Sequence, residues 1–125
     1  MTMEAMDPDI LCLLHRLGIT ANYTGFFHTA RAIRLCAEEP DRLLLVTKLV
    51  YPEVAKAYRT NWQAVERNIR TVTAIAWDRG RPALEQLAGR ALPHRPCAAQ
   101  LLALLTYELL TRRAGPQTQK TAPTE

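Results

Sequence analysis

The 125-residue chain contains no serine, few aromatic residues and no long apolar run. Without serine there is no Gly-x-Ser-x-Gly motif, and the scattered glycines form no phosphate-binding loop. We therefore expect a protein that is not an enzyme and that uses no cofactor. The most apolar segment, Ala98–Leu110, is interrupted by Gln100 and Glu108 and is too short to span a bilayer. The sequence accordingly predicts no membrane partner.

Cysteine and histidine are also scarce, with three residues of each. The cysteines form no Cys-x-x-Cys pair and share no metal-ligand spacing with the histidines, so we predict no metal site. An odd number of widely spaced cysteines favours a reducing compartment, and the first nine residues lack the apolar region of a signal peptide. The predicted location is the cytoplasm. We predict that the cysteines are small buried hydrophobes and that the histidines lie on the surface or at helix ends. These residues are Cys12, Cys36, Cys97, His15, His28 and His94.

The apolar residues that are present recur at helical spacing, whereas no segment has a convincing strand pattern. Glycine and proline fall between the periodic segments. The predicted fold is a compact all-α domain of six helices over residues 9–113, preceded by a short lead (1–8) and followed by a disordered tail (114–125). Its predicted helices begin at Asp7-Pro8, at Asn22 or Thr24, at Tyr51, at Thr60 or Asn61, at Pro82 and at Cys97. Gly80 is expected to end the fourth of them. A short helical turn is expected after Pro40.

The positive charge of the chain is concentrated in its middle. The net charge is +4, and residues 46–95 contain 9 basic and 4 acidic side chains against 4 basic and 6 acidic in residues 1–45. An anionic partner would bind the middle of the chain. The alternative is a basic surface that contacts only solvent.

The predicted helix over Thr60–Arg79 has one apolar and one polar, cationic face. A helix enters the major groove only if its outer face carries no bulky apolar group. A preceding helix (Tyr51–Tyr58) and a three-residue turn (Arg59–Asn61) complete a helix-turn-helix, although an ordinary helical hairpin has the same pattern. The apolar face holds Val65, Ile69, Val72 and Ala76, and the outer face holds Gln63, Arg67, Arg70, Thr71 and Ala74.

Two features leave alternatives open. The leucine-rich last helix is expected to be a core helix, or to form part of a dimer contact together with Tyr107. Trp62 is expected either to pack on Tyr58 or to lie exposed against a DNA sugar.

A specific series of residues then points to a known family. The densest part is Val46-Thr47-Lys48-Leu49-Val50-Tyr51-Pro52-Glu53-Val54-Ala55-Lys56, followed by Val65-Glu66-Arg67-Asn68-Ile69-Arg70 and Ala76-Trp77-Asp78-Arg79-Gly80. Over about Ile10–Arg113 the chain resembles the C-terminal DNA-binding effector domain of the stage zero sporulation protein A response regulator family. The resemblance implies a six-helix domain that binds a short TGTCGAA-like box in double-stranded DNA, often as head-to-tail pairs.

The resemblance also implies roles for individual residues. Glu66 matches a base-reading glutamate, and Arg67 and Arg70 match arginines that hold the backbone or base edges. Arg95 matches a basic loop residue placed against the DNA backbone or minor groove, and two lysines match lysines around the first helix of the motif. The complete predicted DNA-binding set is Lys48, Lys56, Asn61, Gln63, Ala64, Glu66, Arg67, Arg70, Thr71 and Arg95.

Three departures from the family pattern stand out. Ala64 occupies the position of an arginine that makes a main guanine contact, and such a pair contributes about 1–3 kcal/mol of discrimination. The loop Arg90–Pro96 is shorter than usual. The receiver domain is missing, which fits either a truncated piece or a stand-alone paralogue, and we favour the stand-alone domain.

The leading hypothesis is a sequence-preferring transcription regulator at the nucleoid, with altered specificity and without its own phosphorylation switch. It would act as a homodimer or as a tandem pair on DNA. The alternative is a protein-interaction module that has lost specific DNA reading and modulates a related regulator. Ala64 favours this alternative, whereas the basic residues argue against it.

Overall fold

The computed structural model describes residues 7–114 of the chain, and this range holds helices and no strand. It contains seven α-helices and one 3₁₀ helix. The predicted lead and tail lie largely outside the described residues. The elements are α1 (Pro8–Arg16), α2 (Thr24–Glu38), the 3₁₀ helix (Pro40–Leu45), α3 (Val46–Leu49), α4 (Tyr51–Ala57), α5 (Trp62–Arg79), α6 (Arg81–Ala88) and α7 (Ala98–Ala114).

The all-α class is confirmed, but the described residues contain one α-helix more than the six predicted. The difference lies between Pro40 and Tyr51, where one helical turn was expected and a 3₁₀ helix is followed by the four-residue α3. Pro52 lacks a backbone N–H and is therefore best tolerated in the first turn of a helix. A new helix, α4, accordingly begins at Tyr51, one residue before that proline.

Capping residues explain most helix boundaries. The Asp7 carboxylate accepts a hydrogen bond from the Asp9 N–H (2.9 Å), and Pro8 is the first residue of α1, as predicted. The prediction that Asn22 or Thr24 caps α2 is wrong. The Asn22 side-chain oxygen accepts a hydrogen bond from the Thr20 hydroxyl, and Thr24 is already the first helical residue, so α2 has no side-chain cap.

The core lies where α2 packs against both α5 and α7. Helix α7 supplies four fully buried leucines, which confirms its prediction as a core helix. Tyr107 on the same helix is 70% exposed. Within residues 7–114 no helix has the length and apolarity needed to cross a membrane. The four leucines are Leu101, Leu102, Leu105 and Leu109.

Two predictions about polar or reactive side chains need correction. Cys36 is buried, and burial raises the pKa of its thiol to about 11, but Cys12 and Cys97 are exposed and are not core residues. His28 was expected at the surface or at a helix end, but it lies within α2 and is only 3% exposed. The reason is its position on α2, on the side that faces the turn after α4 and helix α5.

Candidate nucleic-acid interface

Helices α4 and α5 are joined by a tight four-residue turn, Tyr58–Asn61. Arg59 has a left-handed backbone (φ 57°), and the Thr60 N–H donates to the Ala55 carbonyl (2.9 Å). Thr60 therefore belongs to the turn, and α5 begins two residues after the first residue of the predicted range, directly after the second of the two predicted caps. The Asn61 side chain accepts from the Ala64 N–H (2.8 Å) and caps α5, and Gly80 ends it, as predicted. A short helix, a turn and a long helix thus follow each other as a helix-turn-helix requires.

The inner face of α5 is buried as its periodicity predicts. All four apolar residues assigned to this face are fully buried. The contact with α2 is unusually close at Gly25, where an added Cβ would lie 2.4 Å from the Asn68 carbonyl oxygen and 2.6 Å from Cγ2 of Val72. Backbone therefore packs almost directly on backbone at this crossing, which fixes the distance of α5 from α2.

A small polar cluster lies beside this crossing. His28 Nδ1 and the Asn68 side-chain amide are 3.4 Å apart, and the His28 ring lies 5.1 Å from the Tyr58 ring. The Arg31 guanidinium is 5.8 Å from the centre of the Tyr58 ring. Burial lowers the pKa of His28, which favours its neutral form. This cluster ties α2 to both the turn and α5.

The C-terminal end of α5 has a second close backbone contact. A Cβ added at Gly80 would lie 2.5 Å from the Leu17 carbonyl oxygen, at the end of α1. Helix α5 is therefore in close backbone contact with its neighbours near its middle and at its C-terminal end.

The outer face of α5 is polar and exposed. Gln63, Arg67, Arg70 and Thr71 are all exposed, whereas Glu66 and Ala64 are half-buried. Arg70 Nη1 lies 3.9 Å from a Glu66 carboxylate oxygen, and the Thr71 hydroxyl donates to the Arg67 carbonyl (3.1 Å). Among residues 7–114 no acidic side chain pairs with Arg67. The charge of Arg67 is therefore available to an anionic partner.

The other predicted residues lie on three further elements. Lys48 is exposed on α3, and Lys56 is exposed on α4 with its Nζ 3.8 Å from a Glu53 carboxylate oxygen. Arg95 is exposed in the loop before α7.

Three of the predicted residues do converge, in a groove of about 470 Å³ beside α5. Glu66, Arg70 and Arg95 line it together with Tyr51, which begins α4. Sequence reasoning missed Tyr51 because the residue stands in an apolar segment and nothing in that segment shows which surface its hydroxyl reaches. The remaining lining residues are Val46, Thr47, Thr73, Pro96, Cys97, Ala98 and Ala99.

The loop that carries Arg95 is anchored to α6. The Leu92 N–H donates to a Glu85 carboxylate oxygen (2.7 Å), and the Arg81 guanidinium donates to the Leu92 carbonyl (3.3 Å) and to Glu85 (3.3 Å). Arg81 also stacks 4.2 Å from the centre of the Trp77 ring. The Leu92 N–H, followed by Arg81, lowers the pKa of Glu85, so the carboxylate stays charged and keeps the loop in place.

The site has the chemistry of an anion-binding surface and lacks that of a metal centre. In the part of the chain that the structure describes, no three histidine, cysteine or acidic side chains could hold a metal ion together. Two exposed arginines, a neutral phenol and the polar face of α5 instead suit phosphate and base edges.

Comparison with known protein families gives a match that extends over most of the chain. Residues 10–109 match the family model described as "Sporulation initiation factor Spo0A C terminal". The matched residues run from α1 into α7 and include both helices of the pair α4 and α5.

Proposed function

The chain belongs to the family of the C-terminal domain of sporulation initiation factor Spo0A, a family of DNA-binding effector domains, and from this premise we propose that it is a sequence-preferring transcription regulator. The observation that carries the proposal is the outer face of α5, which is exposed, polar and cationic on a helix held rigidly by its inner face. The amino-terminal half of α5 would enter the major groove. The protein would act by binding and not by catalysis.

The outer-face residues suit distinct parts of DNA. The Arg67 guanidinium donates two parallel hydrogen bonds to guanine or to a phosphate, and the Gln63 amide suits adenine. The Glu66 carboxylate suits the amino group of cytosine. Asn61 caps α5 with its side-chain oxygen, which leaves its amide N–H groups free to donate. Together with the unused backbone N–H groups of the first turn, they suit a phosphate.

Lys48, Lys56 and Arg95 supply charge on either side of this helix. All three are exposed, and Lys48 and Arg95 pair with no acidic side chain among residues 7–114. Contacts of this kind hold a protein on the DNA backbone without reading its sequence. Thr71 would add at most a weak contact, because its hydroxyl already donates to the Arg67 carbonyl.

A titration of two labelled duplexes tests the proposal. One duplex carries a TGTCGAA-like box and the other a scrambled sequence of equal length and composition. We expect tighter binding to the box at about 50 mM salt, where phosphate contacts are strong. Equal affinities would reduce the function to non-specific binding, and absence of binding to either duplex would refute it.

Ala64 provides a sharper test of how α5 is placed in the groove. Its side chain is only half-buried, so a longer one reaches solvent without entering the core. Ala64→Arg should increase the preference for the box over the scrambled duplex roughly tenfold, the value of one bidentate arginine–guanine pair. Ala64→Gln is the matched uncharged control. An unchanged preference would contradict the proposed orientation of α5.

A second candidate function is a protein-interaction module that modulates a related regulator. Three leucines favour it, because Leu44, Leu45 and Leu49 are 79%, 54% and 42% exposed just before α4. We propose that these three leucines form one apolar patch, a feature typical of protein contacts. Co-purification with a related regulator in the absence of DNA would support this function. Loss of the complex on Leu44→Asp would assign it to the patch.

Assembly and location follow from the same proposal. We propose that two copies bind as a homodimer or as a head-to-tail pair on tandem boxes and that the protein associates with the nucleoid. Analytical ultracentrifugation with duplexes holding one or two boxes would separate a preformed dimer from pairing on DNA.

A further inference from the structure

The groove beside α5 contains a polar group with no partner. Tyr51 is only 2% exposed and lines the groove, yet within residues 7–114 its hydroxyl makes no hydrogen bond. Within residues 7–114 the fully enclosed side-chain atoms without a partner are the hydroxyls of Thr29 and Thr106; the Tyr51 hydroxyl is not one of them, so it keeps access to the groove. The phenol is therefore a candidate donor to a group that enters the groove.

The protonation state of Tyr51 makes it a donor under all ordinary conditions. Burial, with a contribution from Glu66, raises its pKa to about 12. The hydroxyl hence keeps its proton and presents it to an acceptor. An anion with several oxygens is the acceptor that such a donor suits best when cations lie beside it.

Two cations do lie beside it. The Arg70 and Arg95 side chains line the same groove, one from α5 and one from the loop before α7. Glu66 also lines the groove and lies 3.9 Å from Arg70, so its negative charge is partly offset there. Two guanidinium groups and one carboxylate line the groove, so the net charge of these ionised groups is positive.

The start of α7 supplies backbone donors to the same groove. This helix has 17 residues, and its first two, Ala98 and Ala99, line the groove. The Cys97 N–H is already used, since it donates to the Gln100 side chain (2.9 Å). The N–H groups of the following residues belong to the first turn, whose amides have no partner within a helix and which favours anions.

We propose that this groove is a phosphate-binding site in which the Tyr51 hydroxyl, Arg70 and Arg95 bind the phosphate oxygens. The phosphate has two possible sources with the same chemistry, the DNA backbone and a free phosphate or phosphomonoester. The assignment of the phosphate to the DNA backbone rests on the proposed function, because the groove adjoins the outer face of α5. Binding of free phosphate in the groove does not depend on that function.

The first experiment measures duplex affinity for Tyr51→Phe, which keeps the buried ring and removes only the hydroxyl. We expect binding to weaken about tenfold, as for the loss of a hydrogen bond to a charged group. Tyr107→Phe is the matched control, because Tyr107 is 70% exposed and does not line this groove. Arg95→Gln is a second variant that cannot unfold the core, since Arg95 is exposed, and it should weaken binding to a similar degree.

The second experiment identifies the phosphate. A set of duplexes is prepared in which one phosphate at a time is replaced by a neutral methylphosphonate. At one position the replacement should weaken duplex binding by the unmodified protein but have little further effect on duplex binding by Tyr51→Phe. In parallel, inorganic phosphate is titrated at constant ionic strength while the backbone amides of residues 95–99 are followed by NMR. Saturable shifts that Tyr51→Phe abolishes would show that free phosphate also binds.

The outcomes separate the two proposals. If the protein binds DNA, but Tyr51→Phe and Arg95→Gln bind as tightly as the unmodified chain and free phosphate causes no shifts, the phosphate site is refuted and the function stands. If DNA does not bind but free phosphate shifts these amides, the function fails and the site stands. If neither DNA nor phosphate binds, both are refuted.

Discussion

Arg67 is an exposed arginine at the centre of the outer face of α5, and it has no acidic partner among residues 7–114. Neighbouring Arg70 differs, because Glu66 lies 3.9 Å from it and competes for its charge. An unpaired arginine can bind a new anion without first losing an ion pair. The contribution of Arg67 to DNA binding should accordingly exceed that of Arg70.

Arg67→Ala is therefore predicted to weaken duplex binding about tenfold or more, equivalent to roughly 1.5–3 kcal/mol for a charge-assisted contact. Fluorescence anisotropy with the box duplex measures the change. Arg16→Ala on α1 is the matched control, since Arg16 is also exposed and pairs with no acidic side chain among residues 7–114. A loss below about twofold for Arg67→Ala would show that this side chain does not contact DNA.

The buried His28 makes the stability of the domain dependent on pH. Burial places its pKa below the ordinary value of 6.5, so the unfolded chain takes up a proton at a higher pH than the folded one. The stability that His28 contributes is therefore complete above about pH 6.5 and declines as the pH falls from there through the lowered pKa of the folded state.

Urea unfolding at pH 7.5 and pH 5.5 tests this dependence. The free energy of unfolding should be lower at pH 5.5, and His28→Gln should reduce the difference between the two values while lowering stability at both. His94→Gln, which removes an exposed histidine, is the control. An equal pH dependence in the native chain and His28→Gln would assign the effect to other groups.

Among the helices, α2 determines where α5 lies. Gly25 permits backbone contact at their crossing, and an added Cβ would lie only 2.4 Å from the Asn68 carbonyl oxygen. Gly25→Ala normally favours a helix by about 0.5–1 kcal/mol. Here the clash with backbone reverses the sign, because neither helix can move without disturbing the core.

We predict that Gly25→Ala destabilises the domain by about 1–3 kcal/mol, the usual cost of overpacking. It should also weaken duplex binding under conditions where the variant is fully folded, because α5 is displaced. Denaturant unfolding and anisotropy measure the two effects. Thr24→Ala, at the exposed first residue of α2, is the control. A stabilised Gly25→Ala would contradict the close approach.

Helix α5 also shows how much of the structure was predictable from the sequence. Its buried face follows from apolar spacing, and its ends follow from Asn61 and Gly80, because these are local properties of the chain. The choice between Thr60 and Asn61 as the cap was not predictable, because the Thr60 N–H bonds back to the Ala55 carbonyl, a contact that no spacing rule reveals.

Features that depend on distant segments were not predictable. The burial of His28 arises from the turn after α4 and from α5, 30 to 40 residues further along the chain. The groove likewise joins Tyr51 to a loop that follows α6. The resemblance implied DNA-binding roles for Glu66, Arg70 and Arg95, which stay predictions, but only the fold shows that these three line one groove.

At the scale of the whole molecule, the charge is unevenly distributed. Residues 1–45 carry more acidic than basic side chains, whereas residues 46–95, which include α4, α5 and the loop before α7, carry 9 basic and 4 acidic ones. Such a distribution orients the domain toward a polyanion before contact and makes its affinity sensitive to counterions.

The predicted salt dependence follows from five cations of the proposed interface, Lys48, Lys56, Arg67, Arg70 and Arg95. A plot of log affinity against log salt should have a slope of roughly −3 to −5, so affinity should fall on the order of a hundredfold between 50 and 200 mM salt. The scrambled duplex should give a similar slope, because its phosphates are the same. A slope shallower than about −1 would contradict an interface built on phosphate contacts.

The glycine contacts at the middle and at the C-terminal end of α5 have a consequence for sequence divergence. Gly25 and Gly80 hold α5 through backbone atoms of Asn68 and Leu17, and no outer-face side chain takes part in either contact. Descendants of one ancestral gene could therefore exchange the residues at positions 63, 64 and 67 without shifting the helix that carries them. We propose that the alanine at position 64 is a change of this kind, and that new target sequences evolve through such changes while the scaffold remains constant.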